Sequence, residues 1–296
     1  VISYVNTINS STNTAGGRNI AIDATPSASN QNNLITNCVI NGGRSTIGLI
    51  STGVGAMPND KNVIQNCVIK NFGYAGIWFL GTSSNTTVSG CEIFQETSSN
   101  SSIMSAMSIN SAASGGNNII EGNKIYNIRS TSTSSSFSPR GITVASASAG
   151  SLLRIVNNFI SLPLDNNNAG TSYGIYLGGS TDYNVDLLYN TIFIGGSHTG
   201  GTSGNVVTAG IYKVSTSDTT FYTQKNNICV NTRTGGTSGV FHVGSFIGVA
   251  DGTLDVDYNN YYASGDPGSY SAGWLSMVYN DLGQYKSAAS PHEQNS

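Results

Sequence analysis

Short apolar runs recur along this chain, with polar residues alternating inside them and Asn or Gly closing them every few positions. The clearest example is residues 61–81, KNVIQNCVIKNFGYAGIWFLG. Its pattern predicts two short strands, residues 63–69 and 76–80, joined by a turn at 71–74. Such strands are too short to bury an apolar face alone, so the unit needs neighbours like itself. The chain supplies them.

An Asn/Cys-x-Ile signature anchors each unit. It occurs at Asn6, Cys38, Cys67, Cys91, Asn123, Asn158, Asn190 and Asn226, and as Asn-Asn-Tyr at Asn259. Successive anchors lie 24 to 36 residues apart, the mark of a solenoid whose coils differ in their loops. A second marker, a small residue before an apolar one, follows seven of the nine anchors: Gly48-Leu49, Gly76-Ile77, Ala106-Met107, Gly141-Ile142, Gly174-Ile175, Gly210-Ile211 and Gly239-Val240. The arc from marker to next anchor is nearly constant in length, and the other arc takes most of the insertions. Ile, Val and Tyr favour pleated strands, Gly and Asn suit corners, and helical periodicity is absent from the repeats. Inward Asn side chains at one corner predict an asparagine ladder. The expected fold is all-β: a single-stranded right-handed parallel β-helix of about nine coils, about 40 Å long at the usual strand spacing.

Residues 1–262 are assigned to this solenoid. Residues 263–296 are assigned to a C-terminal cap, with a short helix over 281–289 capped by Asp281, and to the start of a truncated continuation. Charged residues make up 9% of the chain and net charge is −3, which predicts no basic face for nucleic acid. No apolar run is long enough for a membrane-spanning helix. Strand-like sequence from the first residues predicts an excised or processed piece of a longer protein, with self-association through the helix ends as a further expectation. Cys38, Cys67 and Cys91 share the anchor position and are expected to stack as buried thiols, with Cys229 a lone buried thiol.

The repeats resemble the parallel β-helix repeats of secreted bacterial proteins, including pectate-lyase-like enzymes and large surface proteins of Bacteroidota type. Residues 257–262 (DYNNYY), Trp274, residues 281–286 (DLGQYK) and residues 292–296 (HEQNS) are similar to a tail frequent in that group, with Tyr285 where Trp is usual. The resemblance implies an extracellular or cell-surface location. It leaves activity open, because enzymes and non-enzymes share the fold. Asp218-Thr219-Thr220 is similar to the short O-glycosylation acceptor of the same group.

The candidate chemistry is of three kinds. Asp255 and Asp257 alternate, so both lie on one strand face, where a calcium ion is the expected cofactor if there is one. Lys213 and His242 fall at matching positions on neighbouring coils, near Arg140, as a catalytic pair lacking a nearby carboxylate. The third kind is aromatic. Residues one beyond the inward apolar position point outward, and these include Trp78, Tyr176, Tyr212 and Phe241. Rings on neighbouring coils beside polar loops suit the apolar faces of sugars. The resulting expectation is a structural or adhesive segment that binds a polysaccharide or a surface protein through these four residues. No catalytic or metal residue is assigned. The alternatives are a polysaccharide lyase or glycoside hydrolase of the same fold, and a subunit of an extracellular filament.

Overall fold

The computed structural model describes residues 2–3, 6–9, 17–24, 29–51, 57–96, 103–110, 116–128, 138–145, 150–165, 171–179, 183–214, 221–250, 252–265 and 268–296. Among these, the strands stack into three long sheets, one of nine strands and two of ten. Pairing within them is parallel apart from a final antiparallel strand, Met277–Tyr279, against Ser269–Trp274. The chain is a parallel β-helix.

Each coil carries three strands rather than two. The run from 63 to 69 is divided into Val63–Gln65, in the first sheet, and Val68–Lys70, in the second; Ala75–Leu80 belongs to the third. The division comes from one backbone conformation. The residue before each ladder position is left-handed in coil after coil: Asn37, Asn66, Gly90, Gly122, Asn157, Tyr189, Asn226 and Tyr258, with φ from 53° to 62°. Asn and Gly tolerate that region best, which explains the recurrent Asn-Cys, Gly-Asn and Asn-Asn pairs. It also corrects two anchors. Asn226 is the exposed left-handed residue and Asn227 the buried ladder residue, while Asn6 pairs with Val39, one position past Cys38.

The core is built from columns of stacked side chains. Ile40, Ile69, Ile93, Ile125, Ile160 and Ile192 form one on the second sheet, continued by Cys229 and Tyr261. Facing it on the third sheet stand Ile47, Ile77, Met107, Ile142, Ile175 and Ile211. All are buried. Each aliphatic side chain so buried contributes about 1.5–3 kcal/mol. The second marker of the sequence now has a physical cause. A Cβ on Gly174 would lie 2.3 Å from Ile192 Cγ2, and one on Gly141 2.7 Å from Ile160 Cγ2, so the two sheets approach too closely for a side chain.

The ladder runs along the corner between the first two sheets. Asn158 Nδ2 donates to Ile120 O and to Asn190 Oδ1, each at 3.0 Å, and its backbone N–H donates to the same Oδ1. Asn123, Asn190 and Asn227 repeat this arrangement. At the last rung Asn259 donates its backbone N–H to Ser296 Oγ, so Ser296 replaces the next ladder residue. The cap is as expected in its helix, Leu282–Ala289, whose first turn is closed by Asp281 Oδ1 accepting from Gln284 N at 2.8 Å. Glu293 is fully buried under the last coil and accepts from the hydroxyls of Tyr261 and Tyr285.

Candidate functional site

The outer face of the third sheet carries the aromatic residues. Strand pairing places Trp78, Ser108, Thr143, Tyr176, Tyr212 and Phe246 in one outward column. Phe241 is not in it. Phe241 pairs with Val206, after which the register shifts, and the close-approach glycine of that coil is Gly244 rather than Gly239. Ser245 follows Gly244 at the inward position, so the small-then-apolar signature is absent there and the sequence pattern pointed five residues too early.

These rings form a partly covered cluster rather than a row of open platforms. Tyr176 and Tyr212 are half-buried, whereas Trp78 and Phe246 are each only 8% exposed. The centre of the cluster is Tyr173, which sequence reasoning missed. Its ring lies 4.5 Å from Tyr212 and 5.4 Å from Tyr176, and Tyr212 lies 5.3 Å from Phe246. Burial pushes the Tyr173 hydroxyl well above its ordinary range, and it donates to Val206 O at 3.1 Å. Phe241 meets Tyr270 edge-on at 5.2 Å on the border of the same cluster.

Arginines lie over these rings. The Arg140 guanidinium is 3.8 Å from the centroid of Tyr176 and 5.7 Å from that of Tyr173. Its Nε donates to Ser138 Oγ, and burial lowers its pKa. Four and three coils toward the N-terminus, Arg18 and Arg44 lie 5.3 and 5.5 Å from Trp78, and Arg44 also lies 5.3 Å from Tyr74. Stacking of this kind contributes about 0.5–2 kcal/mol per pair, more as water is excluded. The signal available in the sequence was position: Arg18 opens the strand Arg18–Ala24, Arg44 immediately precedes Ser45–Ser51, and Arg140 lies within Ser138–Val144.

The proposed Lys213–His242 pair does not form. Lys213 pairs with Ile247 and occupies a core column beside Leu177, donating to Val249 O at 2.8 Å. His242 pairs with Thr208 and is fully buried. Its Nε2 meets Gly235 O at 2.8 Å, so Nε2 carries the proton, and Nδ1 accepts from Thr208 Oγ1 at 2.8 Å. Burial lowers its pKa, the Gly235 bond opposes this, and nearby Arg233 adds to the lowering. It is a neutral core histidine.

Asp255 and Asp257 do share the outer face of the first sheet, but both are engaged. Lys225 Nζ is 2.7 Å from Asp255 Oδ1, and Asp257 accepts from the backbone N–H and Nδ2 of Asn295, each at 2.7 Å. No group of three or more His, Cys, Asp or Glu suited to a metal ion occurs among the described residues. Asp218-Thr219-Thr220 lies outside the described residues. The four cysteines are free and buried; Cys91 is pushed up by its hydrogen bond with Cys67 and by burial, and Cys229 by burial. They serve packing, as the sequence suggested.

What these side chains can do together is specific to the third sheet: ring faces and planar cations on one surface, with hydroxyls of Ser105 and Thr143 bonded to each other between them. The chain matches no protein-family model, no curated protein and no solved structure.

Proposed function

We propose that this chain is a rigid segment of a secreted or cell-surface bacterial protein, and that the outer face of its third sheet is its contact surface for a polysaccharide or a partner protein. One observation carries this reading. Tyr173, Tyr176, Tyr212 and Phe246 lie outside the β-helix core, packed on one another under Arg140. Aromatic rings placed outside a core that is already full of Ile and Leu serve contact more readily than stability. A stacked parallel sheet gives such a face a fixed geometry, because each ring is held by the strand pairs on either side.

The positions of the acidic groups favour contact over hydrolysis or elimination. Asp186, Asp255, Glu92 and Glu96 lie on outer faces in single ion pairs with Arg154, Lys225, Lys124 and Lys70. A glycoside hydrolase instead needs two carboxylates facing one bond.

A polysaccharide array tests the proposal when read on one sample for retention and for new reducing or unsaturated ends, with and without calcium. We expect retention without products, weakened at least tenfold by Tyr212→Ala while the unfolding midpoint stays within a few degrees. New chain ends in the array would overturn the proposal in favour of an enzyme. No retention of any glycan, with end-to-end assembly in solution, would favour the filament subunit.

A further inference from the structure

Two groups of surface cations in this chain differ in their partners. On the first and second sheets Lys61, Lys70, Lys124, Arg154 and Lys225 each lie within 2.7–3.5 Å of a carboxylate. On the third sheet Arg18, Arg44 and Arg140 meet aromatic rings and form no ion pair with a carboxylate among the described residues. A chain of net charge −3 with 15 carboxylates therefore leaves three guanidinium groups uncompensated on one face. Their alignment is set by pairing: Arg18, Ser45, Ala75, Ser105 and Arg140 occupy one column, which spans about 19 Å at the usual strand spacing. Arg44 stands beside Ser45 in the same row.

We propose that this face binds the anionic groups, carboxylate or sulfate, of an acidic polysaccharide laid along the rod axis. The proposal rests on the contact-face reading above and names its ligand class. Three features support it. Each guanidinium lies over a ring, Arg18 and Arg44 over Trp78, Arg44 also over Tyr74, and Arg140 over Tyr176. No carboxylate among the described residues meets its terminal N–H groups, and an oxyanion can take the bidentate geometry that Arg supplies and Lys does not. Ring faces and cations occur on one surface, matching a polymer that offers apolar sugar faces and charges together. Arg18 Nε and Trp78 Nε1 are buried N–H groups with no hydrogen-bond partner, donors still unused on this face. A linear column suits a regular polymer better than a folded protein epitope, and it includes no lysine of the kind that follows a phosphate backbone.

The test is affinity electrophoresis of the whole chain through gels containing polygalacturonate, dextran sulfate, neutral dextran or single-stranded DNA, at low and moderate salt. Arg44→Gln, Arg44→Lys and Arg140→Gln are run beside the parent, with circular dichroism to confirm folding. We expect retardation by an acidic polysaccharide, at least tenfold weaker in Arg44→Gln and Arg140→Gln, and only partly restored in Arg44→Lys. Polygalacturonate alone identifies carboxylate as the ligand group; dextran sulfate alone identifies sulfate. Retardation by neutral dextran that Tyr212→Ala weakens and the arginine variants leave unchanged would overturn this inference and keep the contact face. Equal retardation by DNA, with Arg44→Lys like the parent, would overturn it as general charge attraction. No retardation by any polysaccharide would overturn this inference and the polysaccharide side of the contact-face reading, leaving a partner protein as the ligand of that face.

Discussion

The two halves of the β-helix keep the same coil but put their buried amides at different corners. From Asn123 onward, the corner between the first and second sheets holds Asn123, Asn158, Asn190, Asn227 and Asn259. In the N-terminal half that corner holds Cys38, Cys67 and Cys91, whose thiols meet one another and reach toward backbone carbonyls, Cys67 to Ile35 O and Cys91 to Ile64 O at 3.7 Å. There the amides stand at the entry to the first sheet instead. Asn62 Oδ1 accepts from the backbone N–H and Nδ2 of Asn33, and Asn118 Oδ1 accepts from the backbone N–H of Thr86. Beyond Asn118 that second column becomes Leu153, Val185, Tyr222 and Leu254. The coil containing Asn118 and Asn123 carries both. Most coils thus carry an amide at one corner and an apolar residue or thiol at the other, and the coil of Thr86 and Cys91, which has neither amide, donates its corner N–H groups to Asn118 and Asn123 of the next coil.

The comparison breaks first at the ladders. Asn190→Ala removes the donor to Ile155 O and leaves the backbone N–H and Nδ2 of Asn158 without their acceptor. We expect about 3–5 kcal/mol of lost stability, since each buried orphaned group costs about 1–3 kcal/mol and part of this relaxes. Asn62→Ala orphans the matching groups of Asn33, which is only half-buried, so about 2–3 kcal/mol is expected. Denaturant midpoints measure both. Equal and small losses, under about 1 kcal/mol, would mean that water or backbone adjustment replaces the amides.

How much of this was legible in the sequence follows from what each column demands. The core positions and the asparagine ladder were legible because stacked coils need the same residue type repeatedly, as at Ile40, Ile69 and Ile93. The split of residues 63–69 into two strands was not, because Asn66 interrupts the run through a left-handed backbone rather than through its side-chain class. The aromatic face was half legible. Tyr176 and Tyr212 follow intact glycine markers, whereas Phe246 follows Gly244-Ser245, where polar Ser245 sits in the core and bonds Gln224. The arginine face escaped because net charge averages over the whole chain, and three cations on one sheet vanish among paired charges elsewhere.

Cys91→Asn sharpens the comparison by moving the boundary between the two halves. An Asn there would offer Oδ1 to the backbone N–H of Cys67 and Nδ2 to Ile64 O and Asn123 Oδ1, copying the rung that Asn123 already makes. A gain of about 0.5–1.5 kcal/mol is expected, the net value of one or two added buried hydrogen bonds. A loss would show that the 24-residue coil between Cys67 and Cys91 closes its corner too tightly for an amide, and that the thiols are there for size.

The smallest expected effect separates the halves by pH. His242, in the C-terminal half, has its pKa lowered by burial below the ordinary value of 6.5. Unfolded chains therefore take up its proton first as pH falls. The stability tied to neutral His242 is present above about pH 6.5 and declines from there until the lower folded value is passed. Glu92, in the N-terminal half, is held below its ordinary 4.5 by the Tyr126 hydroxyl, against a smaller opposing effect of burial, with help from Lys124. Its contribution is present above about pH 4.5 and is lost below it. Thermal midpoints from pH 7.5 to 3.5 should thus fall in two stages. His242→Gln should flatten the upper stage and Tyr126→Phe the lower one, each leaving the other in place. A single transition shifted by both variants alike would mean that the two halves unfold as one unit and that neither group dominates its window.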